Sequence, residues 1–172
     1  MNNVELRQKL TALQAGDKSV FEEIYNQLKT PMFTIIQRIM QDKMLSEDIL
    51  QEIFVKLYLS PPENTNNPRA YIFQMARNLA IDGVRKQPQF ANLDDVENLV
   101  YLPDEDITER MDIERAMKTL SLQECQIVSL HINGELKFRE IAEIINLPLG
   151  TVIWKYHKAV KHLRSLLSGG AI

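Results

Sequence analysis

The segment from Phe138 to Arg164 reads as two short helices joined by a sharp turn, and no other stretch constrains the fold as strongly. Its second helix is charged with one sign. From Thr151 to Leu167 it carries Lys155, Lys158, Lys161, Arg164, two histidines and no carboxylate, in a chain whose net charge is -3. Such a local positive field favours an anion. A helix-turn-helix with a basic second helix is the usual way a protein reads the DNA major groove.

Helical periodicity supports this. Val152, Tyr156, Ala159, Val160, Leu163, Leu166 and Leu167 recur at three- and four-residue steps and predict one apolar stripe. Thr151, Trp154, Lys155, Lys158, Lys161 and His162 fall on the other side. The first helix offers Phe138, Ile141, Ala142 and Ile145 to a shared core, with short Ala142 permitting close approach. Asn146 to Gly150 forms the turn, and Pro148 can open the second helix because its missing N–H is not needed there. The plainer reading is a basic, solvated helix in an all-α protein.

Composition excludes several classes. The 172 residues are 45% hydrophobic and 25% charged, as expected of a globular protein of one domain or two small ones. No apolar run nears the ~18 residues that span a bilayer, and no signal peptide is evident, so a cytoplasmic protein without membrane insertion is expected. Cys125 is alone and cannot form an internal disulfide; packing in a helix is its expected role. His131, His157 and His162 lack metal-site spacing, so neither metal nor cofactor is expected. Without an acid–base pair, a nucleophile constellation or a glycine-rich phosphate loop, an enzyme is not expected either.

Charge is segmented. Residues 1–90 sum to +1, residues 91–110 to -6 and residues 111–172 to +2. The middle segment, interrupted by Pro103, reads as a self-repelling acidic connector. The expectation is therefore all-α, with two helical domains (1–90 and 111–172) joined by an acidic linker (91–110).

Within the first domain, Ser19 to Glu22 has the form of a capping box leading into Phe21, Ile24, Tyr25 and Leu28. Pro31 permits a restart or kink before Met32, Ile35, Ile36 and Ile39. Ser46 can cap a helix whose apolar face is Ile49, Ile53, Phe54 and Leu57. Pro61 to Asn67 is a loop by composition, and Asn67-Pro68 reads as cap plus first residue of a helix burying Tyr71, Ile72, Met75, Leu79 and Val84. In the second domain, Ser121 to Glu124 is another capping box, and Gly134 ends its helix.

Three ordered blocks resemble the extracytoplasmic-function sigma factors of bacterial RNA polymerase. Ser46 to Tyr58 is similar to the family helix that docks on the polymerase clamp. Pro68 to Lys86 is similar to the helix that melts and reads the -10 promoter element, and the helix-turn-helix to the reader of the -35 element. The resemblance implies a promoter-specificity subunit whose partners are core RNA polymerase, promoter DNA and an anti-sigma factor. It also implies polymerase docking through Asp48, Gln51, Glu52 and Phe54. The implied -10 contacts are Asn64, Asn66, Asn67, Arg69, Arg77, Asn78, Asp82, Arg85 and Lys86; the implied -35 contacts are Arg139, Thr151, Trp154, Lys155, Lys158 and Lys161.

Some alternatives stand. Tyr71 and Phe73 could stack on an unpaired base, although Tyr71 shares a stripe with Met75 and so reads as core. The loop Asn64 to Asn67 is either a cradle for a flipped base or a plain connector. Where the family commonly has Lys-Ser-Arg-Leu, this chain has Ile153-Trp-Lys-Tyr156; Trp154 either packs on thymine methyls and sugars or closes over the core. A stand-alone dimeric DNA-binding regulator is the rival function, but no heptad seam or spare apolar helix for dimerisation is evident.

Overall fold

A computed structural model describes residues 1–63, 65–86 and 110–168. The described residues are helical, without a strand. Helices α1 (Asn3–Gln14), α2 (Phe21–Met40), α3 (Lys43–Leu59) and α4 (Pro68–Arg85) form the N-terminal half, with a 3-10 turn at Lys18–Val20. Helices α5 (Arg110–Lys118), α6 (Leu122–Ile132), α7 (Phe138–Ile145) and α8 (Leu149–Ser168) form the C-terminal half. The expected acidic connector falls outside the described residues, apart from Arg110, which opens α5.

Helix α2 is the centre of the N-terminal half. It buries Ile24, Leu28, Met32, Ile35, Ile36, Ile39 and Met40, and packs on α3 and α4. Pro31 neither restarts nor ends it; the helix runs continuously through that position. Helix α1, unforeseen from the sequence, covers this core with Leu6, Leu10 and Leu13, all within 2% of complete burial.

Two expected caps belong to carboxylates instead. Asp17 accepts the Ser19 N–H (3.0 Å) and hydroxyl (2.5 Å), so Ser19 sits in the 3-10 turn and caps nothing. Asp42 caps α3 through the Leu45 N–H (2.9 Å), starting the helix ahead of Ser46, which is fully buried inside it. A charged acceptor within reach of free amides outcompetes a hydroxyl. Elsewhere the expected caps form: Asn67 accepts from the Ala70 N–H at 3.1 Å, and Ser121 and Glu124 complete a capping box.

In α4 the buried stripe is Arg69, Ile72, Phe73, Ala76, Ala80, Ile81 and Val84. This reverses the aromatic assignment. Phe73 is 0% exposed and Tyr71 is 47% exposed, because the helix is rotated so that Arg69, Phe73, Ala76 and Ala80 face inward.

The two halves share one apolar core. Leu122, Ile127, Leu130, Leu136, Ile141 and Val152 belong to the same buried cluster as Leu28, Ile36 and Ile72. Helix α6 lies on α2, and α7 on α4. The stripe expected along α8 is buried at Val152 and Ala159 but exposed at Leu166 and Leu167. With 20 residues against 11 in α6 and 8 in α7, α8 outruns the helices that could cover it.

Candidate nucleic-acid interface

The turn between α7 and α8 fixes the basic helix. Asn146 takes the left-handed conformation (φ 54°), and the Leu147 N–H then reaches the Ala142 carbonyl at 3.0 Å. Pro148 stands just ahead of α8, and its carbonyl accepts from the Val152 N–H at 3.1 Å. Behind the helix, the rings of Phe138 and Tyr156 lie 4.9 Å apart and His131 stacks on Phe138 at 4.3 Å. This packing leaves the opposite face outward. Thr151 and Lys155 are half-buried, Trp154 is 59% exposed, and Lys158, Lys161 and Arg139 are exposed. Trp154 therefore lies outside the core.

Lys158 is not a free cation. Its Nζ donates to Glu124 at 3.0 Å and stands 5.4 Å from the Trp154 ring centroid. Burial acts to raise the Glu124 carboxyl, but hydrogen bonds from Lys158 and Ser121 outweigh it and hold the group below the ordinary carboxylate range. Lys161 carries its charge outward on the next turn.

The α4 residues divide into two sets. Asn78, Asp82, Arg85 and Lys86 are exposed, with Arg85 and Asp82 paired at 3.4 Å. Arg69 and Arg77 are instead turned onto the C-terminal half. Arg69, 6% exposed, donates from Nε to the Gly134 carbonyl at 2.5 Å, and Glu135 lies 3.4 Å from its guanidinium. Burial lowers the proton affinity of that guanidinium and Glu135 partly offsets this. Arg77 donates from Nε to the Gln126 side chain at 2.7 Å. Asn67, besides capping α4, donates to Glu140 on α7. Asn66 is exposed and its carbonyl accepts from Arg7, whereas Asn64 lies outside the described residues.

A further arginine, with no local signature in the sequence, joins the halves. Arg38 on α2 donates to Ser129 (2.9 Å), Asn133 (3.0 Å) and Glu114 (3.0 Å). The turn it grips needs a glycine, because a Cβ on Gly134 would stand 2.5 Å from the Leu130 carbonyl oxygen.

On α3, Asp48, Gln51 and Glu52 are exposed, and Glu52 is paired with Lys56 at 2.7 Å. Phe54 does not share that face. It is 4% exposed, 4.7 Å from the Tyr25 ring and 6.1 Å from that of Phe21, so it supports the helix from within. Met44 and Val55, exposed at 74% and 55%, flank Asp48 and Gln51 instead. Their three- and four-residue spacing was the available signal.

Residues 24–89 match the family model of Sigma-70 region 2, and residues 110–163 match that of Sigma-70, region 4. The chain is 26% identical to the ECF RNA polymerase sigma factor SigW of Bacillus subtilis, over 94% of this chain and 96% of that relative. The chain belongs to the extracytoplasmic-function sigma factors of the sigma-70 family. This sigma factor is also 25% identical to SigM of Bacillus subtilis, over 87% of its own length and 96% of the relative. Its fold resembles that of RpoE from Bartonella quintana, solved with the anti-sigma factor NepR (TM-score 0.66, 18% identity, 86% of this chain and 96% of that one). It also resembles CnrH, solved with the cytosolic domain of CnrY (TM-score 0.65, 16% identity, 95% and 97%). Among the described residues, no helix of this sigma factor is long and apolar enough to cross a membrane.

Proposed function

We propose that this chain is an alternative sigma factor that binds core RNA polymerase in the cytoplasm and directs initiation at its own set of promoters. It performs no chemistry; the polymerase forms the phosphodiester bonds. Residues 1–90 dock on the polymerase and open the -10 element, residues 91–110 connect, and residues 111–172 hold the -35 element. The observation that carries this reading is the order of the two sigma-70 regions, with the basic outer face of α8 free of apolar cover.

The docking face is Asp48, Gln51 and Glu52 on α3, a polar stripe suited to a partner helix rich in arginine. The -10 contacts are Asn64, Asn66, Asn67, Arg69, Arg77, Asn78, Asp82, Arg85 and Lys86. Because Arg69 and Arg77 are bonded to the C-terminal half, DNA engagement by these two requires the halves to separate. Binding to polymerase and to two promoter elements supplies the energy for that change. A protein that favours the packed form over the separated one would act as an inhibitor. RpoE from Bartonella quintana, solved with the anti-sigma factor NepR, supports an anti-sigma factor in that role.

Co-purification with bacterial core polymerase tests the reading. A stoichiometric complex that selects particular promoter fragments is expected. Failure of the folded chain to bind active core, with DNA binding as a dimer, favours the stand-alone regulator.

A further inference from the structure

Trp154 is the only tryptophan in the chain, and it is 59% exposed in the second turn of a helix otherwise presenting polar and cationic groups on that side. Thr151 and Lys158 share its face, three residues before it and four after it. The indole is flanked by a fixed cation. Lys158 Nζ lies 5.4 Å from the ring centroid and is bonded to Glu124, which accepts from the Ser121 N–H at 3.1 Å and its hydroxyl at 2.9 Å. With Glu124 balancing its charge, Lys158 braces the ring more than it attracts phosphate.

Resting on the sigma-factor reading, we propose that Trp154 is a specificity residue that reads a thymine in the upstream promoter element through the base's C5-methyl group. The chemistry of the indole narrows the choice. It offers a flat apolar face and a single N–H donor, with no acceptor. Cytosine and adenine present amino donors in the major groove that an indole cannot satisfy. Guanine presents acceptors without an apolar group. Thymine alone presents a methyl beside an acceptor, O4, and so meets both features of the ring. The first turns of a recognition helix are those that reach base edges, and Trp154 occupies the second turn of α8.

The test uses holoenzyme made from the full chain and core polymerase. Upstream sequences are first selected from a randomised library, then each selected thymine is replaced by deoxyuridine, which removes only the methyl. Wild-type holoenzyme should bind about fourfold more weakly at one such position, the effect of a methyl-sized apolar contact. Trp154→Ala holoenzyme should form normally, since the side chain lies outside the core, and should bind both templates equally. Trp154→Phe should keep part of the methyl sensitivity. Equal methyl sensitivity in wild type and Trp154→Ala, or no thymine preference, overturns the assignment while leaving the sigma reading intact. Absence of any holoenzyme or selected promoter overturns both.

Discussion

Arg77 on α4 donates from Nε to the side-chain oxygen of Gln126 on α6, 2.7 Å away, and so ties an expected DNA contact to the other half of the molecule. Gln126 is itself 3% exposed, which puts the bond in a region that water does not weaken. Together with Arg38 and Arg69, it makes the contact between the halves polar and directional as well as apolar. Such contacts have two discrete arrangements, made or broken.

Cys125 gives a direct view of that contact. It is the only cysteine, is 3% exposed, and lines a cleft with Gln37, Arg38, Glu114 and Met117. Burial pushes its thiol up to about 11, so thiolate is scarce at neutral pH. The wild type should react slowly with a disulfide reagent. Arg38→Ala loses three hydrogen bonds and should open the cleft by about 2 kcal/mol, or roughly thirtyfold in labelling rate. The helical circular dichroism should not change. Equal labelling rates would show that Arg38 does not hold the halves together.

Glu124 sets a pH dependence. Burial acts to raise its folded-state pKa, but hydrogen bonds from Lys158 and Ser121 outweigh it and hold the group below its unfolded value. The unfolded chain therefore binds the proton first on acidification. This stabilisation is full above the unfolded pKa and is lost as pH falls through the folded one. Between about pH 5 and pH 3 the wild-type Tm should fall more steeply than that of Glu124→Gln. Parallel curves would contradict the assignment.

The aromatic pair on α4 separates core from surface. Phe73→Ala empties a fully buried site and should cost about 3–5 kcal/mol in urea denaturation. Tyr71→Ala, at a side chain 47% exposed, should cost less than about 1 kcal/mol. The reverse ranking would mean that α4 is rotated from the arrangement described.

How far these features were readable depended on distance along the chain. The Ser121–Glu124 box and the Asn67 cap involve neighbours three residues apart, and the sequence pattern found both. Ser19 and Ser46 match a cap pattern without capping, because Asp17 and Asp42, equally local, are stronger acceptors. The outer face of α8 was visible because its charges are all of one sign. The bonds of Arg69 and Arg77 to the other half have no local signature, because their partners, Gly134 and Gln126, lie 65 and 49 positions away, where no periodicity reaches. Phe54 shows the limit of block matching: it lies in the docking segment, but its ring points into the core.

The α3 face can be probed without disturbing the fold. Asp48→Ala with Gln51→Ala removes two exposed side chains, so unfolding stability should change by less than about 0.5 kcal/mol. Affinity for core polymerase should fall at least roughly tenfold, as for loss of charge-assisted contacts at an interface. Unchanged affinity would place the docking surface elsewhere.

On the proposed function, this chain gives a polymerase its promoter choice. Purified chain mixed with bacterial core RNA polymerase on a pooled genomic template measures it directly, by mapping transcript starts. Discrete new start sites sharing an upstream motif, absent with core alone, are the predicted result. Folded protein and active core that together yield no such starts would contradict it.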